Sequence, residues 1–250
     1  RFSLASLVLL WFVPIPRGQL LRQIFWISFV GSTLQYGMTF TGLSMLDASL
    51  AIIIIHLEVP FSVLLAAIIL KDNPGIQRIL GMLISFAGIV LIAGQPSLSG
   101  QLRAIFLTAG GAMMWAVGQV MVKRLENPPS GFALTAWIGV FSGPQMILGS
   151  FIFEESQLES LANASWIGWG VILYLALIMT VLGYGIWYRV LSRNPVSKVM
   201  PVMLLLPVFT IASSMFFLGE HPSLMIFMGA AVVIGGVSMI VITKDSKLSS

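Results

Sequence analysis

Cysteine is absent from this chain of 250 residues. Disulfides, thiolate metal sites and cysteine nucleophiles are therefore excluded. Charge is scarce as well: 9% of residues are Asp, Glu, Lys or Arg, against about 25% in soluble domains. That shortage excludes an ordinary water-soluble fold. Only two histidines occur, His56 and His221, in distant segments and without an acidic cluster beside either. An intramembrane enzyme needs a nucleophile–base pair or grouped metal ligands, and neither is present. No glycine-rich phosphate loop occurs, which speaks against ATP-driven transport by this chain. Neither a metal nor any other cofactor is expected, and the modest formal charge of +4 gives no reason to expect a nucleic-acid partner.

What the chain has in abundance is apolar sequence: 58% of residues are hydrophobic and the mean hydropathy is +0.99. Apolar runs between charged or Pro/Gly-rich breaks predict nine helices, at 2–15, 24–46, 48–70, 76–94, 104–122, 132–153, 165–191, 196–218 and 223–243. The joins are short, among them Pro16-Arg17-Gly18, Lys71 to Gly75 and Glu126 to Ser130, and only Glu154 to Ser165 is a longer loop. An all-α integral membrane protein follows, with the lipid bilayer as its first partner.

The basic residues order those helices. Eleven of the 13 Lys and Arg (Arg17, Arg22, Lys71, Arg78, Lys123, Arg124, Arg189, Arg193, Lys198, Lys244 and Lys247) fall in alternate loops or the C-terminal tail. The other side receives Arg1, Arg103 and the acidic Glu154, Glu155 and Glu159. Cytoplasmic loops concentrate Lys and Arg, so the C-terminus is expected in the cytoplasm and Arg1 outside.

The halves echo one another at an offset of 148: Tyr36-Gly37 with Tyr184-Gly185, Asp72 with Glu220, Pro74 with Pro222, and Gly88 with Gly236. Pro60 and Pro207 match one residue out of register. Residues 1–98 form a first repeat of four helices and residues 99–250 a second of five with a short cytoplasmic tail. A repeat with an odd number of helices enters the membrane the opposite way in its second copy, so the repeat is inverted. A tenth helix is expected before Arg1.

Val181-Leu182-Gly183-Tyr184-Gly185-Ile186-Trp187, Pro201 to Pro207 and Phe217-Leu218-Gly219-Glu220 resemble the second repeat of EamA-type transporters in the drug/metabolite transporter superfamily. Ala112-Met113-Met114-Trp115-Ala116 followed by Lys123-Arg124 resembles the helix opening that repeat. Among members of the family, the bacterial cysteine and O-acetylserine exporters look closest. The resemblance covers essentially the whole chain. It implies an inverted-repeat bundle of ten helices around a central cavity, working by alternating access in the bacterial cytoplasmic (inner) membrane.

Glu58 is the sharpest candidate for a site. It lies within the apolar run Ala48 to Leu70, where an ionisable group costs on the order of 2.5–3.5 kcal/mol without a partner, a proton or a wet cavity. It is a candidate to hold a substrate ammonium or to carry a coupling proton, and the ordinary alternative is a protonated or internally paired structural residue. His56 can donate to a substrate carboxylate or pack as a satisfied core histidine. On a regular helix residues two apart point about 200° apart, so both face one cavity only if Pro60 distorts the turn. Pro60 and Pro207 each remove a backbone donor and free a carbonyl four residues back, at His56 and Met203. Such breaks in matching positions of two repeats point to a midplane site.

Polar stripes complete the candidate lining: Ser28, Ser32, Gln35, Thr39 and Gly42 on one helix, and Thr108, Gly111, Trp115 and Gln119 on another. Small and hydroxyl residues are equally the usual helix-contact set in lipid. Gln35, Gln119 and Trp115 are large and polar enough to suit a cavity, and Tyr184 is a further lining candidate beside an interfacial Trp187 and Tyr188. Asp72 and Glu220 are expected to cap the helices that follow them. The expected function is export of a small amphipathic metabolite, an amino acid or its derivative, with protons as candidate coupling ions. A cationic-drug exporter of the same superfamily and a non-transporting membrane scaffold are the alternatives.

Overall fold

A segment in hydrocarbon must bond its backbone N–H groups within itself, so apolar runs bounded by Pro, Gly and charge become helices. The computed structural model describes residues 1–69, 75–93, 100–126, 128–155, 157–183, 186 and 205–242. Among the described residues, each of the nine predicted segments falls largely on helix. These are α1 (Phe2–Leu9, with a 3₁₀ turn Leu10–Phe12), α2 (Gln19–Ser28) running through a π-helical stretch Phe29–Leu34 into α3 (Gln35–Leu43), α4 (Ala48–Ile55), and α5 (Glu58–Ile69). They continue with α6 (Gly75–Ala93), α7 (Leu102–Lys123) and α8 (Gly131–Phe153). A short α9 (Gln157–Ala162) lies within the expected long loop, and α10 (Trp166–Leu173) passes into a π-helical stretch Tyr174–Gly183. Last come α11 (Leu205–Ser213), ending in a π-helical turn Ser214–Leu218, and α12 (Leu224–Ile242).

Among the described residues, six helical runs are long and apolar enough to cross a membrane, including Ala48–Ile69 as one 22-residue span. Large apolar side chains stand exposed along them, such as Phe153 at 87% and Trp166 at 83%. In water such exposure would be an aggregation hazard, but lipid covers it.

Two packed units form, and each mixes segments from both halves of the sequence. The first comprises Arg1–Thr33 with Met121–Arg193. In it α2 and α8 bury Ile24, Ile27 and Leu134 together with Leu125, and Phe25 meets Phe141 edge-on at 5.4 Å. Small residues let α1 approach α8: a Cβ on Gly139 would stand 2.9 Å from the Phe2 carbonyl oxygen.

The second unit comprises Leu34–Val120 with Asn194–Ser250. Its core is Leu50, Ile53, Ile54 and Leu57 with Ile89, Ile92, Ala112, Val233 and Val237. Here α6 and α12 cross with backbones nearly touching. A Cβ on Gly81 would lie 2.6 Å from the Gly236 oxygen, and one on Gly88 would lie 3.1 Å from the Gly229 oxygen. At the middle of the crossing, the Ser85 hydroxyl reaches the Val233 carbonyl at 3.4 Å. The offset of 148 carries Gly81 onto Gly229, Ser85 onto Val233 and Gly88 onto Gly236. The crossing is therefore its own mirror under the sequence repeat. The π-helical stretches behave likewise: Phe29–Leu34 shifted by that offset falls inside Tyr174–Gly183.

One expectation needs correcting. Glu220 does not cap the helix that follows it. Its carboxylate reaches the N-terminus of α4, accepting from Ala48 N at 2.7 Å, Ser49 N at 3.1 Å and the Ser49 hydroxyl at 2.5 Å. Asp47, the residue before α4, makes no side-chain cap bond, so Glu220 fills that role from a distant part of the chain. Its repeat partner Asp72 lies outside the described residues, as do Met203, Trp187, Tyr188 and the basic residues Arg189, Arg193, Lys198, Lys244 and Lys247.

Candidate functional site

The break that matters most lies inside the span Ala48–Ile69. Pro60 has no N–H to give the His56 carbonyl, and the chain answers by tightening one turn. Val59 N bonds His56 O at 3.2 Å and Leu57 N bonds Ile54 O at 3.0 Å, both three residues back. The ordinary spacing resumes with Phe61 N to Leu57 O at 3.0 Å. Thus α4 stops at Ile55 and α5 begins at Glu58. Pro60 itself is fully buried.

This tightened turn separates the two sharp candidates. His56 is 4% exposed, and its Nδ1 sits 3.0 Å from the Ile52 carbonyl oxygen of its own helix. The ring is held as a packed residue on that side. Glu58 is partly exposed, and its main-chain carbonyl accepts from the Ser62 hydroxyl at 2.6 Å. Its carboxylate has no hydrogen-bond or ion-pair partner among the described residues. An intramembrane carboxylate left without protein partners is the ordinary mark of a solute or ion pathway.

Gln35 opens α3 and is 9% exposed, so it is nearly buried. Its amide Nε2 donates to Thr39 Oγ1 at 3.3 Å, while Oε1 has no partner. The facing stripe on α7 divides into two parts. Thr108 is fully buried and Gly111 is buried, and both meet α3: a Cβ on Gly111 would lie 3.0 Å from the Gln35 carbonyl oxygen. Trp115 and Gln119, one and two turns further along that face, are partly exposed and have no hydrogen-bond partner among the described residues. Hydroxyl and glycine positions thus serve packing, while the two bulkier side chains remain partly exposed. Pro207 is fully buried near the start of α11. Tyr184 lies outside the described residues.

The polar stripe of α2 and α3 does not address a single neighbour. Ser28 turns to α8, where its hydroxyl pairs with that of Ser142 at 2.8 Å. Gln145, beside the helix-interior Pro144, joins them: its Oε1 accepts from Thr33 at 2.6 Å and from Ser28 at 3.3 Å. Its Nε2 is buried without a partner. Ser142 and Gln145 escaped the sequence reading, although a Gln beside a mid-helix Pro in an apolar run was signal enough. Arg1, grouped there with the outer loop charges, instead donates from Nε to the buried Thr180 hydroxyl at 2.9 Å.

Comparison with known proteins gives this architecture its name. The model of the EamA-like transporter family matches residues 1–94 and 102–242. A probable amino-acid metabolite efflux pump of Salmonella typhimurium is 28% identical over 248 residues, covering 94% of this chain and 81% of that protein. Its Escherichia coli counterpart, under the same name, is 27% identical with the same coverage. The uncharacterized transporter YyaM of Bacillus subtilis is 27% identical, covering 95% and 81%. One crystal structure superposes with a TM-score of 0.64 over 96% of this chain and 84% of its own, at 16% identity, which shows the shared fold. An apolar helical bundle with broken spans, matched along nearly its whole length, is a multi-pass membrane transporter and not an enzyme, and the chain belongs to the EamA-like transporter family.

Proposed function

We propose that this transporter exports a small amphipathic metabolite, an amino acid or a derivative of one, across the bacterial cytoplasmic membrane, with its C-terminus in the cytoplasm. The observation that carries this is the carboxylate of Glu58, which stands at a proline-tightened turn inside a membrane span without a hydrogen-bond or ion-pair partner among the described residues. A solute bearing an ammonium group would supply the missing counter-charge. A proton would do the same when the solute is absent, and exchange of the two at one carboxylate couples inward proton movement to outward solute movement. The names borne by the Salmonella and Escherichia coli relatives agree with such a substrate.

The chain, on this proposal, is built of two inverted repeats, residues 1–98 and 99–250, and alternates access to a central site. Support comes from the α6–α12 crossing, which maps onto itself under the repeat offset, and from the π-helical stretches at matching positions. Gln35, Trp115 and Gln119 would line the solute path, with Tyr184 as a further member.

The test is efflux of labelled amino acids from proteoliposomes holding the protein, with and without a proton gradient. Saturable export of an amino acid that slows when the gradient is collapsed supports the proposal. Export confined to cationic dyes would favour the drug-exporter alternative, in which the same carboxylate meets a permanent cation. No amino-acid flux under either condition would contradict the proposal.

A further inference from the structure

A second feature lies at the Lys/Arg-rich end of the first unit, independent of the solute site. A hollow of about 670 Å³ opens there between the α1–α2 turn and the start of α8, lined by Pro14, Ile15, Arg17, Leu20, Pro129 and Trp137 among others. That volume lies within the range of small-molecule sites, roughly 300–1,000 Å³. Apart from Arg17 and the Trp137 indole N–H, the lining side chains are apolar. The indole of Trp137 donates to the Pro14 carbonyl at 3.0 Å, which ties the turn to α8. Arg17 is the charged member of the lining, is exposed, and has no hydrogen-bond or ion-pair partner among the described residues.

The surroundings identify what fills such a hollow. Trp11 and Phe12, just before it in sequence, and Ile15 of its own lining are 87%, 81% and 71% exposed. Large aromatic and aliphatic side chains so displayed at the end of a membrane helix lie in the lipid interface. The hollow is therefore reached from lipid. Leu20 packs with Met121 and Val122 in one apolar cluster, which brings the end of α7, with Lys123 and Arg124, to the same end of the unit. Arg22 follows on α2, and Glu126 is the acidic residue of the adjoining loop. Positive charge predominates, so a headgroup with net negative charge is favoured over a zwitterionic one, whose ammonium would meet the same cations.

We propose that this hollow binds one anionic phospholipid, an acyl chain occupying the apolar space and the headgroup phosphate pairing with Arg17. Such a lipid would fasten the α1–α2 turn to α8. Arg17 belongs to the lipid site and not to the solute path.

The test is native mass spectrometry of the full chain in mild detergent, mixed with phosphatidylglycerol and phosphatidylcholine of identical acyl chains. The expected result is retention of one phosphatidylglycerol at least fivefold over phosphatidylcholine, lost in Arg17→Gln and kept in Arg17→Lys. Neither inorganic phosphate nor glycerol phosphate in millimolar excess should displace the lipid. Equal retention of the two lipids by the unmodified protein would overturn the proposal, as would undiminished preference in Arg17→Gln. Displacement by inorganic phosphate would overturn it in favour of a soluble-anion site.

Discussion

The carboxylate of Glu220 holds the first turn of α4 from 171 positions away in sequence, bonding both the backbone N–H and the hydroxyl of Ser49. A helix N-terminus leaves donors without intrahelical partners, and an anion there is favoured by the helix dipole. The contact therefore clamps the start of the span that carries Glu58 to the loop between α11 and α12.

Removing that clamp should be measurable. Glu220→Ala is expected to cost about 1–2 kcal/mol, the usual range for a lost N-terminal cap, read as a lower thermal midpoint in detergent. Glu220→Gln, which keeps an acceptor but loses the charge, should fall between Ala and the unmodified protein. Equal midpoints for all three would show that the contact contributes nothing.

The same carboxylate sets a pH dependence. Partial burial pushes the Glu220 carboxyl up, but the bonds from the Ser49 hydroxyl, the Ser49 and Ala48 N–H groups and the Ser214 hydroxyl outweigh it and hold the pKa below the ordinary glutamate value. A depressed folded-state pKa means stability that is present above the unfolded-state value and lost as pH falls through the folded one. The midpoint of the unmodified protein should thus drop below about pH 4.5 more steeply than that of Glu220→Gln. Parallel curves for the two proteins would contradict the assignment.

The α6–α12 crossing makes a sharper structural prediction. A Cβ on Gly236 would lie 2.5 Å from the Gly81 oxygen, whereas one on Gly235 meets nothing within 4 Å. Gly236→Ala should lower the midpoint by an amount matching about 1–3 kcal/mol of overpacking. Gly235→Ala, on an open face of the same helix, should leave it unchanged or raise it.

Pro60 separates stability from transport. Pro60→Ala restores a donor for the His56 carbonyl and allows a continuous helix from Ala48 to Ile69. The thermal midpoint should hold or rise while solute flux falls at least tenfold, because the tightened turn that presents Glu58 is gone. Flux at the unmodified rate would mean the break only shapes packing.

The membrane fold was legible because every backbone group in lipid must be satisfied within its helix, so length and hydropathy mark the spans almost alone. Even so, the helix predicted from Ile24 begins at Gln19, since hydropathy sees the apolar run but not the helix extending through the interface. Glu220 was read as a local cap because sequence shows neighbours along the chain; its true partners are 172 and 171 positions away. The pairing of Ser28 with Ser142 and Gln145 was hidden for the same reason. The π-helical stretch beneath it carries no proline to announce it. Glu58 stood out because a carboxylate in an apolar run is costly wherever it lies.

Proton-driven amino-acid efflux by Glu58→Gln, compared with the unmodified protein in the same proteoliposomes, tests the central claim most directly. The account predicts that the variant folds with an unchanged midpoint and loses gradient-driven efflux at least tenfold. Gradient-driven efflux at the unmodified rate from Glu58→Gln would contradict it.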